Sequence, residues 1–212
     1  MILLGISSGL QACSSGTNST TATQFPDMTA QPEQKTDTAY LAAGCFWCIE
    51  AIFQQLDGVI SVSSGYTAGQ VKNPSYKEVC TGLTGHAEAA RIIYDPAKLS
   101  FDELLEVFWK THDPTTLNRQ GADVGTQYRS GIYYINDEQK ATAEKYKKEL
   151  DASGAFEKPI VTEIVPFDGA FYVAEDYHQN YYNQNGEQGY CRMVIQPKVE
   201  KFKKVFPDKL KK

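Results

Sequence analysis

The chain is short of histidine, of clustered positive charge and of long apolar runs, and each shortage removes a class of function. Its three histidines, His86, His112 and His178, lie far apart and share no metal-ligand spacing with the cysteines, which argues against a zinc site. With a net charge of −5 and no basic block interleaved with aromatics, nucleic acid is not an expected partner. The apolar stretch from Met1 to Ala12 is too short to cross a bilayer as a helix. No internal repeat is present. Five cysteines make an odd count at irregular spacing, which argues against a dense disulfide framework and leaves at least one thiol needing another use.

What remains is a chain of 212 residues with 42% hydrophobic and 12% aromatic content, enough to bury one substantial core with a tail. The most telling stretch is Ala42-Ala43-Gly44-Cys45-Phe46-Trp47-Cys48-Ile49-Glu50. Leu41 to Ala43 reads as the end of a strand. Ile49, Ile52, Phe53 and Leu56 recur at the spacing of one buried helix face, predicting a helix from Phe46 to Leu56. Cys45 then sits where strand becomes helix. A thiol at a helix N-terminus meets unpaired N–H groups that favour thiolate, so a lowered pKa is expected. Phe46 and Trp47 read as pocket walls beside a nucleophile.

Further along, Val59 to Tyr66 alternates as a strand, and a strand from Ala87 to Tyr94 follows the loop at Asn73 and Pro74. Period-two arithmetic puts Glu88, Ala90, Ile92 and Tyr94 on one face and Arg91 on the other. A carboxyl opening an apolar face is expected to be desolvated and held protonated. Ser100-Phe101-Asp102-Glu103 is a capping box that starts a helix with a stripe at Phe101, Leu104, Leu105 and Phe108. Trp109 is expected in the core, and His112 as a favourable cap at that helix's end. The irregular stretch from Asp113 to Arg129 is longer than most connections, which marks it as functional. Strands from Ile132 to Ile135 and from Thr162 to Pro166 flank a helix with a charged face that ends near Ala152. A helix is expected within Tyr172 to Asn185, where His178 reads as a satisfied polar contact. Asn185 to Cys191 reads as a polar arm able to swing a cysteine. A basic amphipathic helix begins near Lys198. Cys80, amid helical neighbours, reads as structural. The alternation predicts an α/β or α+β two-layer sandwich with a mixed sheet and flanking helices.

Gly44-Cys45-Phe46-Trp47 resembles the signature of A-type peptide methionine sulfoxide reductases. Further matching blocks, in the family's order, are Asn73-Pro74-Ser75-Tyr76, Gly85-His86-Ala87-Glu88, Gly125-Thr126-Gln127-Tyr128-Arg129-Ser130 and Gly189-Tyr190-Cys191. The resemblance implies a two-layer fold with a ferredoxin-like core, and no cofactor. It also implies roles: Cys45 attacks the sulfoxide sulfur, Glu88 donates a proton, and Tyr76 and Tyr128 hydrogen-bond the oxygen. Asp123 would bind the substrate main chain, with Phe46 and Trp47 around its methyl group. Cys45 is left as sulfenic acid, which a second thiol condenses into a disulfide for thioredoxin or a thioredoxin-like dithiol protein to reduce. Cys191 matches the family's resolving position. Cys48 stands where many members carry glycine and is the alternative resolving thiol, set back by the strain of a disulfide inside a helical turn.

Residues 1–12 resemble a bacterial lipoprotein signal, with Leu10-Gln11-Ala12 preceding Cys13 as the lipid-bearing residue. Residues 13–37 would then form a flexible tether with a span of about 25–30 Å, and 38–212 the catalytic domain. This reading places the protein at the cell envelope, touching membrane only through the lipid. No Lys or Arg precedes Lys35, so a plain cytosolic tail stays open as the alternative. Nothing in the sequence demands more than a monomer. Other functions remain to be separated: a thiol–disulfide oxidoreductase using Cys45 and Cys48, a cysteine hydrolase, or a binding lipoprotein with inert cysteines.

Overall fold

The structure is a computed structural model that describes residues 35–212. The expected signal, Cys13 and nearly all of the expected tether lie outside the described residues. The first strand, β1 (Asp37–Ala43), begins one residue before the expected domain start. It runs into α1 (Phe46–Phe53), which ends a turn short of Leu56. The next elements are β2 (Val59–Thr67), the single turn α2 (Tyr76–Val79), β3 (Ala87–Tyr94) and α3 (Phe101–Thr111). Ser100 caps α3 in a full capping box, its hydroxyl accepting from Glu103 N while the Glu103 side chain accepts from Ser100 N. The long connection folds into a minimal hairpin, β4 (Arg119–Gln120) and β5 (Asp123–Val124), then a 3₁₀ turn at Thr126–Tyr128. β6 (Ser130–Tyr134), α4 (Asp137–Ser153) and β7 (Glu163–Pro166) follow.

The order across the sheet is β7-β6-β1-β3-β2-β8, where β8 is Phe171–Val173. All neighbours pair antiparallel except β6 with β7. The central four, β6-β1-β3-β2, with α1 and α3 as the crossovers, form the expected ferredoxin-like core. Strand β3 obeys the period of two. Ala90, Ile92 and Tyr94 belong to the main core beneath the helices, whereas Ala87 and Ala89 belong to a smaller cluster with Ala42 and Tyr133 on the other face. Arg91 lies over the Phe171 ring.

Two further expectations are met with added detail and one is corrected. The helix expected within Tyr172 to Asn185 is the short α5 (Tyr181–Asn185), which follows β8 and a 3₁₀ turn at Asp176–His178. From Gly189 the chain is helical rather than a loose arm, through a π turn at Cys191–Ile195 into α6 (Gln196–Val205). The reason is a buried stripe of Cys191, Ile195, Val199 and Phe202, and α6 packs against α1 and α3. Pro197 in that run removes one N–H, which obscures the helical pattern in the sequence. His112 does close α3, but as a neutral group: its Nδ1 lies 2.7 Å from Phe108 O and its Nε2 2.7 Å from Ser130 Oγ, and burial pushes its pKa down to about 4.

Gly44 decides how β1 meets α1. Its φ is +85°, and a Cβ there would come within 2.4 Å of Gln120 Cβ, on the buried end of the β4 strand. Gly44→Ala is expected to destabilise the fold by about 2–4 kcal/mol, the combined cost of a left-handed alanine and an overpacked contact. Urea unfolding of the two proteins measures it, and a difference below 1 kcal/mol would contradict this packing.

Candidate active site

Cys45 is the N-cap residue of α1, with φ −56° and ψ 123°, outside the helix proper. The first helical N–H, that of Phe46, does not reach its sulfur. It donates instead to Glu88 Oε2 at 3.1 Å, tying the middle of the sheet to the start of the helix. Glu88 is buried, and burial, opposed by the Phe46 N–H and reinforced by Asp123 and Cys48, pushes its pKa up to about 8. It is therefore an acid at neutral pH, as its place on an apolar face suggests.

A cavity of about 170 Å³ opens at this junction. Its wall brings together Cys45, Phe46, Trp47 and Glu88 with Tyr76 from α2, Asp123 from β5 and Tyr128 from the 3₁₀ turn. Burial raises the pKa of both phenols, and Glu88 reinforces the shift in each, so Tyr76 and Tyr128 keep their protons and stay donors. Tyr76 is anchored by its own N–H, which donates to Glu175 Oε1 at 2.8 Å, while the Tyr66 hydroxyl donates to Glu175 Oε2 at 3.0 Å.

One wall residue was not anticipated. Tyr190 donates its hydroxyl to Asp123 Oδ2 at 2.7 Å and also hydrogen-bonds the Cys45 thiol. The only sequence signal was its place beside Cys191 in the last matching block. Nor does His178 sit apart. Trp47 Nε1 donates to His178 Nδ1 at 3.1 Å, the imidazole packs 4.4 Å from the Tyr76 ring, and burial lowers its pKa. The Trp47 indole is clamped on its other face by Tyr181, stacked at 3.7 Å. His178 is thus a polar contact that orients a cavity wall.

Similarity to known proteins agrees with this geometry. A family model described as peptide methionine sulfoxide reductase matches residues 37–210. The protein named peptide methionine sulfoxide reductase MsrA of Picrophilus torridus is 55% identical over 170 residues, 80% of this chain and 95% of that one. This chain belongs to the peptide methionine sulfoxide reductase family. Among solved structures, reduced Mxr1 of Saccharomyces cerevisiae superposes with a TM-score of 0.69 at 37% identity, covering 77% of this chain and 92% of Mxr1. Mxr1 in complex with Trx2 is also similar, with a TM-score of 0.50 at 26% identity, over 72% of this chain and 90% of that one.

The thiols of this reductase depart from expectation. Burial, with Cys48 and Glu88 close by, raises the Cys45 pKa well above the ordinary thiol value. The leading N–H of the helix goes to Glu88, and the hydrogen bond from Tyr190 opposes the rise without outweighing it. Cys45 also hydrogen-bonds Cys48, whose pKa falls to about 7, the Cys45 contact being the largest cause and Lys198 the cation beside it. Of the pair, Cys48 is the thiol whose ionised form the surroundings favour, and Cys45 the one whose ionised form they oppose. Cys191 is fully buried at the start of the π turn, where burial and the Cys48 charge raise its pKa. Cys80, read from the sequence as structural, is exposed and hydrogen-bonded to Tyr76. Among the described residues no cluster could hold a metal ion.

The raised pKa of Glu88 has a stability consequence. The folded carboxyl keeps its proton up to about pH 8 and the unfolded one loses it near the ordinary value of 4.5. Stability is therefore highest below that lower value and falls as pH rises through the interval between them. Glu88→Gln removes the dependence, so wild type should lose stability relative to this variant on going from pH 4 to pH 9, on the order of 4 kcal/mol. Parallel urea curves at the two pH values would contradict the buried acid.

Proposed function

We propose that this reductase returns the S epimer of methionine sulfoxide, free and within proteins, to methionine as a repair of oxidative damage. The observation that carries the reading is the cavity joining a thiol, a protonated carboxylic acid and two phenolic donors. A sulfoxide oxygen gathers negative charge as its sulfur is attacked, and these are the groups that can neutralise it.

Cys45 attacks the sulfoxide sulfur and gives up its proton to the Cys48 thiolate. Glu88 protonates the departing oxygen, which Tyr76 and Tyr128 hold by hydrogen bonds. The oxygen ends on Cys45 as sulfenic acid, the substrate sulfur is reduced, and methionine leaves. Phe46 and Trp47 enclose the methyl group, and Asp123, steadied by Tyr190, receives the substrate main chain. The Cys48 sulfur then attacks Cys45, forming the disulfide and releasing the oxygen as water with the proton Cys48 carried. Glu88 regains its proton from solvent.

The choice of Cys48 over Cys191 for this step reverses the order suggested by resemblance. Cys48 is already hydrogen-bonded to Cys45, and because Cys45 lies outside the helix, the strain of bridging one helical turn does not apply. Cys191 lies close enough to feel the Cys48 charge and takes up the bond by thiol–disulfide exchange. A thioredoxin-like dithiol protein then reduces it, a partner supported by the Mxr1 complex with Trx2. The enzyme acts as a monomer, held at a bacterial envelope by acylation of Cys13, for which the support is the Leu10-Gln11-Ala12-Cys13 pattern and the polar tract behind it. An intact mass from membranes that begins at lipid-bearing Cys13 would bear this out, and an unmodified chain beginning at Met1 in the soluble fraction would overturn it.

With a dithiol present, the S epimer should turn over and the R epimer should not. Cys45→Ser should abolish turnover, and Glu88→Gln should lower kcat by about 10²–10⁴-fold. After one turnover without reductant, Cys191→Ser should carry a Cys45–Cys48 disulfide on peptide mapping. Activity surviving Cys45→Ser would reject the mechanism, and an unresolved sulfenic acid in Cys191→Ser would return the resolving role to Cys191.

A further inference from the structure

We propose that Lys198 is a positioning residue for the second half of the reaction, its ammonium pairing with the Cys48 sulfur and aiming it at Cys45. The inference rests on the reading above, in which Cys48 resolves the sulfenic acid. Lys198 sits in the first turn of α6 and places Nζ 3.6 Å from Cys48 Sγ. Cys48 is only 3% exposed, so water cannot solvate a charge on it and a neighbouring cation has to.

Lys198 is also uncommitted elsewhere. It forms no ion pair with a carboxylate among the described residues, and its hydrogen bond to sulfur is the one it makes. Most other charged or titratable groups near Cys48 oppose a negative sulfur: Asp123 from β5 raises its pKa, and Cys191 and Glu88 are in turn raised by its charge. From the α1 N-cap, the Cys45 thiol supports the charge by donating to it. Lys198 is the cation that balances this acidic surround. It lines a separate cavity of about 290 Å³ with Lys110, His112, Asp113 and Lys201, away from the substrate wall. A like-charged setting of Lys110 and Lys201 further favours pairing with sulfur over solvent exposure of a third cation.

The contact has a specific kinetic effect. An opposite charge at this range lowers a pKa by about 1–3. For a thiol with a pKa of about 7, one such step raises the thiolate fraction at neutrality about fivefold, while the intrinsic nucleophilicity of sulfur falls by about threefold, so the net gain in disulfide formation is about twofold. Lys198 neither gains nor loses a proton in this account: the proton Cys48 took from Cys45 leaves it again, the Cys48 electron pair forms the S–S bond, the Cys45–O bond breaks, and that proton joins the departing hydroxyl as water.

The test uses Lys198→Met, which keeps the stem and the helix but not the charge, and Lys198→Arg, which keeps the charge. Protein is mixed with S-epimer methionine sulfoxide without reductant, and Cys45 sulfenic acid is trapped with dimedone while the disulfide is mapped. Thiolate absorbance against pH is followed in the resting enzyme. Lys198→Met should leave Cys45 sulfenic acid at least about twofold longer-lived at neutral pH and move the thiolate midpoint up by at least about one pH unit. Lys198→Arg should restore both. Coincidence of Lys198→Met with wild type in lifetime and midpoint would overturn the proposal while leaving the function intact. Failure of wild type to release any methionine would remove the function and the inference together.

Discussion

The hydrogen bond from Phe46 N–H to Glu88 Oε2 is the contact on which the rest of the site depends. It joins the centre of the sheet to the first turn of the helix that follows β1. It also commits the N–H that would otherwise stabilise a thiolate on Cys45. The helix terminus therefore serves the acid, and the acid is kept protonated all the same, because burial outweighs one donor when Asp123 and Cys48 add negative charge nearby. A protonated carboxyl beside a thiol in a small cavity suits an oxygen that becomes basic as its bond to sulfur weakens.

With the helix end so committed, sulfur activation falls to a pair rather than to a single residue. Cys45 and Cys48 are hydrogen-bonded to each other, and the surroundings favour ionisation of the member that a lysine faces. The third thiol, Cys191, is buried within a helical run rather than carried on a free arm. Tyr190, one residue earlier on the same helical run, links that segment to Cys45 and Asp123.

Much of this was legible in the order of residues. The stripe from Ile49 to Phe53, the alternation through β3 and the Ser100 capping box gave their elements nearly to the residue, because each is a local pattern with a local cause. Glu88 announced itself by standing on an apolar face. The C-terminal run was misread as an arm because Gly189 and Pro197 are turn signals by composition, whereas burial of Cys191 and Ile195 overrides them. Nothing in the order of residues shows that Cys80 is exposed, which follows from α2 being a single turn at the surface.

By itself the sequence determined the family, the ferredoxin-like core and seven of the side chains that line the cavity, since these follow from period, punctuation and motif. Only the tertiary structure decided the protonation of the thiols, the part played by Tyr190 and the contact between Lys198 and Cys48. Those depend on which groups from distant segments meet without water between them. A charge removed from water takes its energy from its neighbours in space, and 150 residues of chain separate Cys48 from the ammonium that faces it.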